Sequence, residues 1–241
     1  FMNQPVHIRT QDSQDEGRVV ARIEQHVFRA HALDKIEMLA RILQAEGRGA
    51  TIVFCRTKRT AQKTAEDLIE RGFRAASIHG DLGQSAREKA LNDFKSGKRD
   101  VLIATDVAAR GIDVDGITHV INYQCPEDEK TYVHRIGRTA RAGADGIAVT
   151  FVDWDELARW KMIDTALELG LPEPLETYSS SQHFFDALKI PANSTGRMVA
   201  AKKIDAPTVK SERPARTQSA PAKAPREKTA RVRTRTKRIA D

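Results

Sequence analysis

Short apolar runs alternate with longer amphipathic segments along most of the chain. Six runs have the length and the apolar or β-branched content of strands, namely HVFRA, TIVFC, AASIH, DVLIAT, THVINY and GIAVTFV. The segments between them repeat apolar residues at intervals of three and four, which predicts helices. Strands that are apolar throughout and separated by helices predict an α/β fold, with a buried parallel sheet and helices on both faces.

Glycines mark the ends of four predicted helices, as candidate C-caps at Gly47, Gly72, Gly97 and Gly170. The last of these helices contains Trp154 and Trp160. Core packing is the favoured interpretation of both tryptophans, and base stacking is the alternative. Asp153 and the acids that follow it resemble a metal-binding box, but N-capping of this helix is favoured.

Charge divides the chain unevenly. Residues 197–241 hold 14 Lys/Arg against 4 Asp/Glu, a net charge of +10, whereas the whole chain carries +7, so residues 1–196 are left at 7 − 10 = −3. This C-terminal segment has no aromatic residue and no apolar periodicity, which predicts a disordered basic tail over 196–241. Such a tail binds RNA through counterion release or, alternatively, recruits a protein.

Cysteine usage and hydropathy limit the class of protein. The two cysteines, Cys55 and Cys125, form neither a CxxC motif nor a Cys/His cluster, so we expect no disulfide framework and no metal site. No run approaches 18 apolar residues, which argues against a membrane span. These features favour a cytoplasmic protein without a membrane partner.

Four short motifs follow the predicted strands, at the edge where open α/β sheets collect their ligands. They are TIVFCRTK (51–58), QSAR (84–87), TDVAARGID (105–113) and HRIGRTAR (134–141). In order and spacing they resemble motif IV, the motif after it, motif V and motif VI of the DEAD-box RNA helicases. The resemblance implies a RecA-like fold and an ATP-dependent RNA helicase. The tail is similar to those of compact bacterial members, including the RhlE type.

Motif VI packs arginines at close spacing. Arginine is always charged and donates through a planar fork, which suits the equatorial oxygens of a transferring phosphoryl group. The resemblance implies that Arg138 and Arg141 reach the γ-phosphate of ATP, and that His134 and Arg135 couple RNA binding to hydrolysis. The alternative is a solvated basic surface cluster.

Motif V contains residues for two ligands, RNA and the nucleotide. Thr105 offers a hydroxyl and Gly111 a closely approaching backbone amide, and the resemblance assigns both to RNA phosphates. It assigns Asp113 to the ribose of ATP. Asp106 and Arg110 are expected to organise and couple this loop, with a cap or a salt bridge as the alternative.

Three further positions suit phosphate binding without sequence reading. Thr57 follows the motif IV strand, Gly80 follows AASIH, and Arg87 lies in the first turn of the next helix. For Gln84 and Arg87 the alternative is an ordinary exposed helix face.

A phosphate-binding loop is missing from the sequence. The only Gly-Lys pair, Gly97-Lys98, lacks the earlier glycine and the following Ser/Thr of such a loop. The chain is therefore interpreted as the second RecA-like domain of a helicase whose N-terminal RecA-like domain holds most of the ATP and Mg²⁺ contacts.

The expected organisation has four parts. They are a linker from the N-terminal domain (1–19), the helicase C-terminal RecA-like domain (20–170), a docking extension (171–195) and the tail. In the extension, His183, Phe184 and Phe185 form either a short docked helix or an exposed partner motif.

Two classes of function remain open. The first is half of an RNA helicase, inactive alone, with RNA, the N-terminal domain and RNA-degradation or ribosome-assembly proteins as partners. The second is a non-catalytic RNA-binding or scaffolding module.

Overall fold

Seven parallel strands form a single sheet in the computed structural model, which describes residues 22–110, 112, 114–141 and 144–199. The strands are β1 (Ile23–Ala30), β2 (Ala50–Phe54), β3 (Ala75–Ile78), β4 (Val101–Ala104), β5 (Ile117–Asn122), β6 (Gly146–Val152) and β7 (Leu175–Thr177). Their order across the sheet is β3-β4-β2-β5-β6-β1-β7. All six predicted strands are confirmed, and the short edge strand β7 adds to them.

Helices connect the strands. They are α1 (Lys35–Ile42), α2 (Lys58–Glu70), α3 (Gln84–Lys95), α4 (Asp106–Ala109), α5 (Glu129–Ile136), α6 (Leu157–Leu167) and α7 (Gln182–Ala187), with a 3₁₀ turn (Trp154–Glu156) before α6. Within the described residues, no helix is both long enough and apolar enough to cross a bilayer.

The core lies on both faces of the sheet, because successive side chains of a strand point to opposite sides. Val53 and its neighbours pack with α1, α2 and α7, through residues such as Leu39 and Phe184. Ile52 and the residues beside it face the other side, where Phe94 of α3 covers them. The predicted RecA-like α/β architecture is confirmed.

Two of the four predicted glycine helix ends are confirmed. Gly72 and Gly97 follow the C-caps of α2 and α3 with φ of +90° and +73°, a left-handed conformation that glycine adopts without strain. The other two predictions are wrong. The helix α1 ends at Ile42, before the turns that lead to Gly47, and α6 ends at Glu168, which itself takes φ of +52°.

The two tryptophans have different environments. Trp160 is fully buried, and its indole N–H donates to the carbonyl of Leu171 at 2.7 Å, which confirms core packing. The same expectation is wrong for Trp154, which is 41% exposed. Trp154 lies in the 3₁₀ turn and Trp160 in α6, so the two side chains do not belong to one α-helical face. Trp154 instead lies beside His31 and the guanidinium of Arg29.

Asp153 caps the 3₁₀ turn, as predicted. Its carboxylate accepts from the backbone N–H of Trp154 at 2.8 Å, while Glu156 reaches back to the N–H of Asp153 at 3.1 Å.

The segment after β7 docks on the sheet. Phe184 of α7 is fully buried and meets Phe28 edge to face, with ring centroids 5.4 Å apart. Of the two alternatives for this segment, the structure has the docked helix.

Residues 194–199, here called the C-terminal strap, cross from α1 to the end of α2. The side chain of Gln44 accepts from the N–H of Gly196 at 2.8 Å. The N–H of Met198 donates to the carbonyl of Arg71 at 2.8 Å. The strap therefore ends beside the last turn of α2.

Both cysteines are unpaired and buried. Burial is the main reason that the pKa of each thiol, Cys55 and Cys125, rises to about 12.

Candidate functional site at the carboxyl edge of the sheet

The register of the sheet places the four motifs at a single edge. Ala104 of β4 pairs with both Ile78 of β3 and Phe54 of β2, and Phe54 pairs in turn with Asn122 of β5. The residues that follow these strand ends therefore lie side by side. This row is called the carboxyl edge below.

Thr57 follows β2 at the carboxyl edge and also begins the helix α2. Its hydroxyl accepts from the backbone N–H of Thr60 at 3.1 Å, so it is the N-cap of α2. The side chain of Thr57 remains exposed, and the N-terminal amides of α2 face the same edge.

Gly80 and Arg87 lie on the β3 side of the edge. Gly80 is exposed, and a Cβ added to it would meet nothing within 4 Å, so a ligand can approach the backbone closely. Arg87 lies in the first turn of α3, where it lines a small cleft of about 160 Å³ together with Arg110. Thr105, at the end of β4, is nearly buried with 9% exposure.

Arg135 is almost completely buried, with 2% exposure. Its guanidinium donates to both carboxylate oxygens of Asp106, at 2.6 and 2.8 Å. It also donates to the side-chain oxygen of Asn122 at 3.2 Å and stacks over Phe54 at 5.3 Å. The Asp106 side chain is 37% exposed, so the pair is buried on the arginine side only. Its two-pronged geometry fixes the helix α5 against the loop after β4.

The three residues predicted to couple RNA binding to hydrolysis thus do not all lie together. Asp106 and Arg135 are in direct contact, whereas Arg110 is exposed at the C-cap of α4 and lies beside Arg87.

Arg138 and Arg141 follow α5 on a tightly held loop. The two guanidinium groups each donate to a backbone carbonyl four residues earlier, at 3.2 Å, and Arg138 also reaches the carbonyl of Ile112 at 3.3 Å. Between them Thr139 is fully buried and donates to the carbonyl of Ile117 at 2.5 Å. Ala140 takes φ of +55°, an uncommon conformation for a residue with a side chain. His134 is exposed at the end of α5.

Two residues of the predicted site lie outside the described residues. They are Gly111 and Asp113 of motif V, and the expected linker (1–19) and most of the expected tail lie outside them as well.

Glu156 is a buried charge that sequence reasoning did not single out as functional. It is 2% exposed and pairs with Arg56 at 3.0 Å and with Lys35 at 3.5 Å. It also accepts from the backbone N–H of Cys125 at 3.3 Å. The segments that follow β1, β2 and β5 therefore meet at one carboxylate. The capping-box spacing from Asp153 was the signal that could have identified it.

Asn122 and Thr150 form a second missed contact. The amide of Asn122 donates to the Thr150 hydroxyl at 3.0 Å and, through its oxygen, accepts from Arg135. Because Asn122 ends an apolar strand pattern, nothing in the sequence marks it as a partner of motif VI.

Comparison with known proteins agrees with this geometry. The helicase conserved C-terminal domain family matches residues 34–143. The ATP-dependent RNA helicase CshA of Listeria monocytogenes is 40% identical over 190 residues, which cover 79% of this chain and 36% of that protein. The chain spans about a third of the length of the curated relatives it matches.

Two solved structures are similar over most of their own length. Escherichia coli DEAD-box protein SrmB, bound to the regulator of ribonuclease activity A, is 33% identical, with a TM-score of 0.58 over 64% of this chain and 88% of that one. The C-terminal domain of S. cerevisiae Dbp5, bound to Gle1 and IP6, is 31% identical, with a TM-score of 0.59 over 69% of this chain and 99% of that one. The comparisons do not distinguish the RhlE type. The fold, the four motifs and these relatives show that the chain belongs to the DEAD-box RNA helicase family and contains its C-terminal, RecA-like domain.

Proposed function

We propose that the chain is the C-terminal half of an ATP-dependent RNA helicase, contributing RNA-backbone contacts and arginine fingers to a site shared with an N-terminal RecA-like domain. The observation that carries this proposal is the two-pronged ion pair between the partly exposed Asp106 and the buried Arg135. It connects the loop that begins at Thr105 to the helix that leads into Arg138 and Arg141. A movement on either side of the pair is transmitted to the other.

The RNA side comprises Thr57, Gly80, Arg87 and Thr105, together with Gly111. A hydroxyl at a helix N-terminus, an open glycine backbone and a guanidinium suit phosphate oxygens and do not read bases. This composition fits an enzyme that acts on RNA of varied sequence.

The nucleotide side comprises Arg138, Arg141 and His134 as catalytic groups and Asp113 as the ribose contact. Cationic side chains on a loop anchored by buried Thr139 fit the phosphate oxygens of ATP. When bound, ATP supplies the phosphoryl group whose transfer drives the cycle. Within the described residues, no three His, Cys, Asp or Glu side chains are grouped to hold a metal ion. We assign Mg²⁺ mainly to the N-terminal domain, together with most of the ATP contacts, because this sequence lacks a phosphate-binding loop.

Fixed positions matter most for the two arginines. They would donate to charge that develops during phosphoryl transfer, and donors held in place in advance stabilise such charge most effectively. The carbonyl contacts of Arg138 and Arg141 and the buried Thr139 limit their freedom.

The parent protein would have further partners. SrmB is seen with a regulator of ribonuclease activity and Dbp5 with Gle1. By analogy we propose that proteins of RNA degradation or ribosome assembly bind this protein, with the basic tail as the contact. The two unpaired cysteines favour the reducing cytoplasm.

The test is RNA-stimulated ATP turnover by the full-length protein. Arg138→Lys and Arg141→Lys keep the charge but lose the planar fork, so kcat should fall about 10³-fold or more. Arg74→Lys is the matched control, because Arg74 is exposed at the opposite edge and pairs with Asp100. Turnover within a few fold of wild type in both variants would favour the alternative, in which the two arginines belong to a solvated surface cluster. RNA binding without turnover by the wild-type protein would favour the non-catalytic RNA-binding or scaffolding module.

A further inference from the structure

An exposed ion pair spans the RNA side of the carboxyl edge. The ammonium of Lys58 lies 2.7 Å from a carboxylate oxygen of Asp81. Lys58 directly follows Thr57, and Asp81 directly follows Gly80, so each partner is the sequence neighbour of a proposed phosphate contact. The side chains are 60% and 59% exposed.

The ion pair is not needed to build the local structure. The helix α2 is already capped by the hydroxyl of Thr57. The turn after β3 is closed by a hydrogen bond from the N–H of Leu82 to the carbonyl of His79, at 3.1 Å. Exposed ion pairs contribute little to stability and are screened by salt. Lys58 and Asp81 can therefore separate without disturbing the backbone that carries them.

A phosphate at this position would change the charge balance. Bound between Thr57 and Gly80, it would bring a negative charge next to the Asp81 carboxylate and offer Lys58 a second anionic partner. The ammonium of lysine is a flexible point charge that can exchange one oxygen for another. Arg87, on the same side, has no side-chain hydrogen bond or ion pair in the described part of the chain, so it has no partner to give up.

We propose that Asp81 competes with RNA for Lys58, holding the ammonium when RNA is absent and yielding it to a backbone phosphate when RNA binds. This inference rests on the proposed RNA-backbone site. Lys58 has to leave Asp81 when it binds a phosphate, so the net free energy gained on RNA binding is smaller. The RNA strand therefore dissociates more readily than it would from a lysine without a carboxylate partner. Asp81 thereby sets the RNA affinity of the edge.

A double-mutant cycle tests the exchange. The full-length protein and its variants are titrated into fluorescein-labelled oligouridine, and affinity is measured by anisotropy over a salt series. Asp81→Asn should raise affinity about 3- to 10-fold at low salt, and the gain should shrink as salt rises. Lys58→Gln should lower affinity. In the Lys58→Gln background, the gain from Asp81→Asn should be at least about two-fold smaller, because no ammonium is left to release.

An equal gain in both backgrounds would overturn the proposal, since Asp81 would then act only by repelling phosphates. Asp93→Asn is the matched control. Asp93 pairs with Lys98 at 3.6 Å near the end of α3, away from the carboxyl edge, and its replacement should leave affinity unchanged. The basic tail is common to every variant and cancels from the comparison.

Arg87→Gln separates this inference from the proposed function. If it lowers affinity while the Lys58 and Asp81 variants show no coupling, the exchange fails and the RNA site stands. If neither Arg87→Gln nor Lys58→Gln changes affinity, the RNA site itself fails.

Discussion

Arg135 shows how the burial of one side chain changes its role. It lies within a motif crowded with cations and is enclosed by a carboxylate, an amide oxygen and the ring of Phe54. A buried charge needs such partners, because the loss of one leaves the other uncompensated. Arg138 and Arg141, three and six residues further on, are only half-buried. Burial therefore separates the connecting arginine from the two proposed for the nucleotide.

His119 gives the stability of the domain a dependence on pH. It is 3% exposed, and burial, followed by the charge of Arg48, lowers its pKa to about 4. An unfolded histidine takes up its proton near pH 6.5, so between these values the unfolded chain binds more protons. Stability should therefore be lost as pH falls from about 6.5 to about 4, by about 2–3 kcal/mol from this residue.

Urea unfolding across that pH range measures this loss. His119→Gln should remove most of the slope, and His31→Gln, at an exposed position, should keep it. Identical slopes in wild type and the His119 variant would show that other groups cause the acid sensitivity.

Gly146 shows how one element positions another. It begins β6 directly beneath the loop that carries Arg138 and Arg141. A Cβ at this position would collide with the side chain of Thr139 and come within 2.9 Å of the backbone nitrogen of Ala140. The first residue of a strand thus sets the height of the arginine loop above the sheet.

Gly146→Ala should therefore act on both stability and turnover. Overpacking of this kind costs about 1–3 kcal/mol, and the displaced loop should also reduce ATP turnover of the full-length protein. Gly80→Ala, whose methyl group meets no atom within 4 Å, should leave the free energy of unfolding within about 0.5 kcal/mol of wild type. A fully stable Gly146 variant would mean that the loop can shift without strain.

The sequence predicted the elements better than their mutual contacts. Apolar runs identified six strands, and parallel register then placed Thr57, Gly80 and Thr105 on a common edge. The contact between Asp106 and Arg135 depends on the sheet order, in which β2 lies between β4 and β5. That order is a tertiary property without a local signal. For the same reason, their positions in the chain do not predict that Arg110 and Arg87 line the same cleft.

At the scale of the whole molecule, charge is separated along the chain. The acidic excess lies in residues 1–196 and the basic excess in residues 197–241. The strap continues the packed domain as far as Val199, where Met198 and Val199 lie against Gly72. A truncation that isolates the effect of the basic segment should therefore be made after Val199 and not before Gly196.

Removing residues 200–241 should weaken the salt dependence of RNA binding. Each basic residue that engages a phosphate contributes about −0.7 to the slope of log binding constant against log salt concentration. If roughly four to seven residues engage, truncation should make this slope less steep by about 3 to 5. Anisotropy of labelled single-stranded RNA measures both slopes. A variant with the same residues in scrambled order should behave as wild type. Equal slopes for the full and truncated chains would leave protein recruitment as the function of the tail.

The burial of both cysteines makes the domain suitable for spectroscopic labelling. Burial raises the pKa of both thiols far above neutral pH, so they remain protonated, and neither sulfur is accessible to a reagent. A cysteine introduced at an exposed position such as Lys98 would therefore react selectively with a maleimide dye, without removal of the native residues. A second dye on the proposed N-terminal domain would then report, by energy transfer in single molecules, whether the two domains approach each other when ATP and RNA are added.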